Sequence, residues 1–147
     1  MARKPPVFQD HPTGFADARA RALVRAYGYH VVDGDTADFL LDLGWYQYAY
    51  VPLRLKDVDA PETRGTTGAE REKALRAKAR LAELVFEQAV LVRSYSERRS
   101  FERFIADLWV TGRPNVPGAL PETIRVGGRV WYSVQQILLA EDLVVPV

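Results

Sequence analysis

The stretch of sequence that decides the fold is TADFLLDLGWYQYAYVPLRLK, residues 36–56. Its first half alternates apolar with mostly acidic positions, the period of a strand that buries one face. Gly44 marks a turn, and the second half is rich in tyrosine and valine, which favour strands. We therefore predict a β-hairpin whose register sets Asp35 opposite Arg54, or one residue away if Pro52 introduces a bulge.

The segments around this hairpin predict the rest of a β-rich domain. In chain order the other predicted elements are a strand at 21–32, a helix from Thr67 to Phe86, strands at 89–95 and 104–110 joined by a polar turn at 96–100, a loop at 111–122, a hairpin around Gly127-Gly128 and a short helix from Ser133 to Ala140. Three long strands, a helix and two more strands form the order of an OB-type barrel. The predicted class is α+β, mainly β: a five-stranded OB-type barrel with a helix between strands three and four and a short C-terminal helix.

The long helix carries its own start signal and its own apolar face. Thr67-Gly68-Ala69-Glu70 has the pattern of a capping box, in which threonine and glutamate bind each other's free backbone N–H groups. The helical period predicts a buried stripe made of Ala74, Leu75, Leu81, Ala82, Val85 and Phe86.

Length and composition indicate one domain preceded by an arm. The chain has 147 residues, near the commonest domain size. Residues 1–18 hold three of the nine prolines and show no periodicity, so they predict an extended N-terminal arm that packs on the domain or on a partner protein. The domain itself is expected to occupy residues 19–147.

Charge and cysteine content limit the classes of function. The net charge is +1, from 20 basic and 19 acidic side chains, which argues against a module that binds nucleic acid tightly through a large basic excess. There are no cysteines, so disulfides and thiolate metal sites are excluded. We expect no membrane span, and no signal peptide because no apolar stretch follows the basic start. This favours an intracellular protein or a mature form whose leader was removed.

Acids and arginines recur at four places that together suit phosphodiester cleavage. They are Asp33-Gly34-Asp35-Thr36, Leu53-Arg54-Leu55, Asp57-Val58-Asp59-Ala60-Pro61-Glu62-Thr63 and Ser100-Phe101-Glu102-Arg103-Phe104. Two carboxylates can hold a hard cation, a third can act on water, and guanidinium groups can clamp a phosphate. By strand alternation Asp57 and Asp59 would point to the same side, so geometry alone leaves either as the second metal ligand.

In order and surroundings these segments resemble the staphylococcal nuclease family, over about Tyr27 to Leu143. The resemblance implies that Asp35 and Asp59 bind calcium together with the backbone carbonyl of Ala60, and it selects Asp59 through the Ala60-Pro61-Glu62 that follows. It also implies Glu62 as general base and Arg54 and Arg103 as phosphate clamps. The implied activity is calcium-dependent hydrolysis of DNA or RNA with little sequence preference, leaving a 3′-phosphate.

Two other functions remain open at this point. One is a non-catalytic member of the same fold that serves as a structural, assembly or nucleic-acid-binding module, since fold alone does not prove activity. The other is an OB-fold single-strand binder without a metal, which would need a basic aromatic groove that the charge balance does not supply. Tyr46, Tyr48, Tyr50 and Tyr132 could stack on bases, but tyrosines at a spacing of two more often only form strands.

Overall fold

The computed structural model describes residues 23–100, 103–111 and 122–147, with the backbone alone for 96–100. The predicted arm at 1–18 and most of the predicted loop at 111–122 lie outside these ranges. The elements are β1 (Leu23–Asp33), β2 (Thr36–Gly44), β3 (Gln47–Leu55), β4 (Val58–Asp59), α1 (Gly68–Val85), β5 (Ala89–Ser100), β6 (Arg103–Val110), β7 (Thr123–Val126), β8 (Arg129–Ser133), α2 (Val134–Ala140) and β9 (Val145–Pro146).

Five strands close into a barrel. The sheet runs β3-β2-β1-β5-β6, and β3 also pairs in parallel with β6, which joins the two ends. The β7–β8 hairpin extends the sheet beyond β6, and β4 pairs with β9 in a small second sheet. The predicted OB-type α+β fold is thus confirmed, with α1 between the third and fourth barrel strands. No helix among the described ranges is long and apolar enough to cross a bilayer.

The register of the β2–β3 hairpin differs by one from the main prediction. Thr36, rather than Asp35, is the partner of Arg54. The irregularity lies between Asp42 and Gly44, beside the turn, and not at Pro52. Asp35 still adjoins this strand, because the Leu55 amide donates a hydrogen bond to its carbonyl over 2.9 Å.

The helix α1 packs on the barrel with a face that differs in part from the predicted stripe. Its buried residues are Ala74, Ala77, Leu81, Leu84 and Val85. Leu75 and Phe86 are each 44% exposed, so both assignments are wrong. The capping box is also wrong: Thr67 is the N-cap, but its side chain makes no capping hydrogen bond. The predicted short helix is α2, and Ser133 caps it by accepting a bond from the Gln136 amide.

The predicted turn at 96–100 is a strand instead. Strand β5 continues through Ser100 and pairs with β6 as far as Ser100 opposite Arg103. Two register shifts interrupt this pairing, after Ser94 and after Arg98. Polar composition was misleading here, because a polar hairpin arm pairs its backbone as well as an apolar one does.

Two glycines let α1 approach the barrel. A Cβ at Gly28 would lie 2.2 Å from the Val85 carbonyl oxygen, and one at Gly34 would lie 2.5 Å from the Ala77 Cβ. Gly34 belongs to the turn between β1 and β2, which also carries Asp35. Helix packing therefore fixes the position of that turn, which forms one wall of the site described next.

Candidate active site

All six residues predicted for the site line one cleft of about 300 Å³. The lining residues are Asp33, Asp35, Arg54, Asp59, Ala60, Glu62, Arg103 and Val147. They come from the β1–β2 turn, the end of β3, β4 with the loop after it, the start of β6 and the residue that follows β9. The parallel pairing of Arg54 with Ile105 brings β3 and β6 together there.

Asp35 is buried at the base of the cleft and fully engaged. It is 3% exposed. Its carboxylate accepts hydrogen bonds from the Thr36 hydroxyl and the Ala60 amide, each over 2.8 Å. The Nη1 atom of Arg54 lies 2.8 Å from its Oδ2. A buried carboxylate with this many donors is held in one orientation.

Arg54 joins the two predicted metal ligands. Its Nη1 binds Asp35, while its Nη2 donates to Asp59 Oδ1 over 2.7 Å. Burial opposes the charged form, yet the pKa of Arg54 is raised, because the hydrogen bonds and charges of Asp59 and Asp35 outweigh that cost. One guanidinium thus fixes the separation of two carboxylates.

The structure separates Asp57 from Asp59. Asp57 has a left-handed backbone, with φ of 62°, and its side chain is 71% exposed and paired with Lys56. Asp59 pairs through the backbone with Val145 and faces the cleft. The left-handed residue breaks the strand alternation that made the two aspartates equivalent in the sequence.

Glu62 and Arg103 stand at the exposed side of the cleft. Glu62 is exposed, and the loop that carries it is held by a bond from the Thr66 hydroxyl to the Glu62 carbonyl. Arg103 Nη1 donates to the Thr36 hydroxyl over 3.2 Å. Thr36 therefore links Arg103 to Asp35.

Known proteins match this chain over most of its length. The family model described as staphylococcal nuclease homologue matches residues 52–141. The chain belongs to this family. It is also 33% identical to "Protein ParB" of Escherichia coli over 116 residues, which cover 76% of this chain and 59% of that protein. The chain therefore spans less than two thirds of the length of this curated relative.

Three further residues at the cleft were not among the predicted site residues. Asp33 lines the cleft and accepts a 2.7 Å bond from the Thr63 hydroxyl, next to Glu62. Thr36 is the last residue of the Asp33-Gly34-Asp35-Thr36 motif, so the motif itself was the available signal. Val147 enters through the pairing of β9 with β4, and its amide bonds to the Asp57 carbonyl; nothing in its local sequence indicates this.

The donor chemistry of the cleft suits a hard cation. Asp35 and Asp59 supply carboxylate oxygens, the ligands that calcium prefers. Over the described ranges, no three Asp, Glu, His or Cys side chains lie close enough together to form a ready-made metal site. Since both aspartates already bind Arg54, a cation would share their oxygens with that guanidinium and take its remaining ligands from the backbone and water.

The tyrosines considered for base stacking fall into two groups. Tyr46, Tyr48 and Tyr50 are 97%, 60% and 71% exposed along the hairpin, whereas Tyr132 packs partly against the core. Tyr50 forms an edge-to-face pair with Tyr29 at 5.3 Å between ring centroids. None of these residues lines the cleft.

Proposed function

We propose that this protein is a calcium-dependent nuclease that hydrolyses phosphodiester bonds of DNA or RNA with little sequence preference. The observation that supports it best is the convergence of Asp35, Asp59, Arg54, Arg103 and Glu62 on one cleft. In the sequence these side chains are spread from position 35 to position 103. A domain that served only as a scaffold would have no need to gather them.

Each side chain has a role that its surroundings support. Arg103 and Arg54 face the phosphate, whose negative charge grows in the transition state and matches planar guanidinium donors. Glu62, exposed at the cleft, takes the proton of the attacking water as its oxygen bonds to phosphorus. The bond between phosphorus and the 5′ oxygen breaks, and that oxygen takes up a proton from solvent water, which leaves a 3′-phosphate and a 5′-hydroxyl.

Asp35, Asp59 and the Ala60 carbonyl would hold the calcium ion. When bound, such an ion neutralises charge on the phosphate oxygens. The protein contributes rigidity here, because Asp35 is fixed by three donors before any ligand arrives. Preorganised charge of this kind costs little reorganisation during the reaction.

The decisive experiment measures cleavage of denatured DNA and of RNA with calcium and with a chelator. We expect activity with calcium and its loss with the chelator. Glu62→Gln should lower kcat by roughly 10²–10⁴-fold. The matched control is Glu72→Gln, at an exposed position of α1, which should keep full activity. Equal activity of the two variants would reject Glu62 as the base.

Arg103→Lys tests the phosphate clamp in the same assay. Lysine keeps the charge but loses the planar fork, so we expect a lower kcat while the fold is retained. Arg125→Lys, at an exposed position of β7, is the matched control. Arg54 is a poorer test, because its partly structural role would mix loss of stability with loss of activity.

One observation favours a non-catalytic module as the second candidate. Arg54, Asp35 and Asp59 satisfy one another without any ligand, as a structural ion-pair network would. This alternative predicts no calcium-stimulated cleavage by the wild type. It also predicts that Arg54→Lys lowers the free energy of unfolding, whereas Glu62→Gln, at an exposed position, leaves it unchanged.

A further inference from the structure

A second pocket adjoins the cleft. It has a volume of about 440 Å³ and lies between α1 and the chain after α2. Its lining residues are Asp59, Ala60, Pro61, Lys73, Arg76, Glu141, Asp142, Leu143, Val144 and Val145. Asp59 and Ala60 also line the cleft, so the two cavities adjoin at these residues. The volume is within the roughly 300–1,000 Å³ typical of pockets for small ligands.

Among the described residues, two cations of this pocket have no ion-pair partner, whereas two of its acids are each bound to an arginine that also binds a second carboxylate. Asp59 is paired with Arg54, and Glu141 is paired with Arg80. Lys73 and Arg76 are exposed and three residues apart on one face of α1. Within the described ranges neither has a carboxylate at ion-pair distance, so both can bind an anionic ligand, and Asp142 is the remaining acid of the lining.

The walls of the pocket are fixed before a ligand binds. Arg80 Nε lies 3.0 Å from both carboxylate oxygens of Glu141 and so ties α1 to the chain after α2. On the other side, β9 pairs with β4. Pro61, Leu143 and Val145 add apolar surface beside the two cations. Apolar walls next to positive charge suit a ligand with a flat ring or sugar and a phosphate.

We propose that this pocket binds the nucleotide that flanks the scissile phosphate, with Lys73 and Arg76 on its phosphate and the apolar wall against its sugar and base. The inference rests on the proposed nuclease function, since it places one polynucleotide across both cavities. DNA and RNA share the chemistry that is recognised. The Arg54 and Arg103 side of the cleft then holds the scissile phosphate, and the chain continues past Asp59 into the pocket.

The test compares a dinucleotide with a single-stranded octanucleotide as substrates, in calcium. Wild type should gain in kcat/KM from the longer substrate, because only that one reaches the pocket. In the double variant Lys73→Gln/Arg76→Gln this gain should shrink, through a KM for the octanucleotide that is about three- to tenfold higher. The control Arg125→Gln/Arg129→Gln changes the net charge equally at two exposed positions of the β7–β8 hairpin and should keep the full gain. Equal losses in the two double variants would overturn the proposal.

The variant Asp142→Asn should change the KM for the octanucleotide in the opposite direction. Asp142 has φ of 58°, a conformation that asparagine tolerates, so the fold should not suffer. Removal of the negative charge that opposes Lys73 and Arg76 should lower the KM for the octanucleotide. An unchanged or higher KM would count against the pocket as an anion-binding site.

Binding measured in chelator separates this proposal from the nuclease function itself. Fluorescence anisotropy of a labelled octanucleotide on the wild type and the Lys73→Gln/Arg76→Gln variant needs no cleavage. We expect weaker binding by the variant. For the variant, the slope of the logarithm of the binding constant against the logarithm of the salt concentration should be smaller in magnitude by roughly 0.7–1.4, because the variant neutralises one or two fewer phosphates. If cleavage fails but this difference remains, only the nuclease function is rejected; if cleavage succeeds and the difference is absent, only the pocket is rejected.

Discussion

Arg54 Nη1 lies 2.8 Å from Asp35 Oδ2. This contact stabilises the site, and the same two side chains are the ones proposed to bind the phosphate and the metal ion. Both side chains are nearly buried: Asp35 is 3% exposed and Arg54 is 9% exposed. A buried ion pair is expensive to break, because removal of one partner leaves the other charge without compensation. The site is therefore held by the same charges that would bind its ligands.

Replacement of Asp35 by asparagine should destabilise the fold. The amide cannot accept from the Thr36 hydroxyl, the Ala60 amide and Arg54 as the carboxylate does, so we expect the free energy of unfolding to fall by roughly 1–3 kcal/mol. Urea unfolding measures this. Asp57→Asn is the matched control, since its side chain is 71% exposed, and should change stability by less than about 0.5 kcal/mol. A stabilised Asp35→Asn variant would mean that repulsion between the acids outweighs these bonds.

Thr36 should act as a positioning residue for Arg103. Its hydroxyl donates to Asp35 and accepts from Arg103 Nη1, and the residue is 2% exposed. Thr36→Val keeps the shape but loses both bonds, so we expect a lower kcat together with a modest loss of stability. Thr36→Ser keeps the hydroxyl and should restore kcat. A purely structural role would instead lower the activity of both variants in proportion to their stability.

Stability should decrease at alkaline pH in part because of Tyr95. Burial, and then the hydrogen bond to Asp107, raise the pKa of Tyr95 above its ordinary value of 10.0. The folded protein thus holds the proton more tightly than the unfolded chain. Its contribution is complete below pH 10.0 and is lost as pH rises through the higher folded pKa.

Tyr95→Phe should weaken that alkaline dependence. Urea midpoints between pH 7 and about pH 11 for the two proteins give the comparison. Lys56, whose ammonium lies 4.8 Å from the Tyr95 ring centre, also has a raised pKa, chiefly through its hydrogen bond to Asp57, and acts in the same direction. The difference between wild type and variant reports the tyrosine together with its contribution to the raised pKa of Lys56. Parallel curves would show that Tyr95 does not titrate in this range.

Mutation of the hairpin turn between β2 and β3 should increase the stability of the fold. Trp45 and Tyr46 have φ of 56° and 57°, and they are 91% and 97% exposed. A two-residue turn with both φ positive favours Asn-Gly, and bulky residues there are strained. Trp45→Asn with Tyr46→Gly should raise the free energy of unfolding by about 1 kcal/mol. Tyr48→Gly, the same kind of change within β3, should lower it.

The turn variant also tests whether these aromatic side chains matter for function. They lie outside both cavities, so we expect its cleavage of single-stranded DNA to equal that of the wild type. A drop in activity with a gain in stability would assign the hairpin tip a part in substrate binding.

Much of the site was predictable because its residues occur in short local motifs. The alternation in residues 36–56 predicted the hairpin, and the Asp-Gly-Asp-Thr and Asp-Ala-Pro-Glu segments indicated Asp35, Asp59 and Glu62 through their resemblance to a known family. The order of strands and helix predicted the barrel. These features depend on neighbours within a few positions, which a sequence displays directly.

Only the tertiary structure decided the contacts between distant segments and the backbone conformations of single residues. The left-handed Asp57 makes Asp59 the residue that faces the cleft, and the irregularity after Asp42 makes Thr36 the partner of Arg54. Leu75 is exposed because the close approach at Gly28 and Gly34 determines which face of α1 touches the barrel. The sequence by itself determined, through local pattern, which side chains could do chemistry. The distances between those side chains were decided by sheet closure and helix packing, because these depend on the register of every strand pair in the barrel.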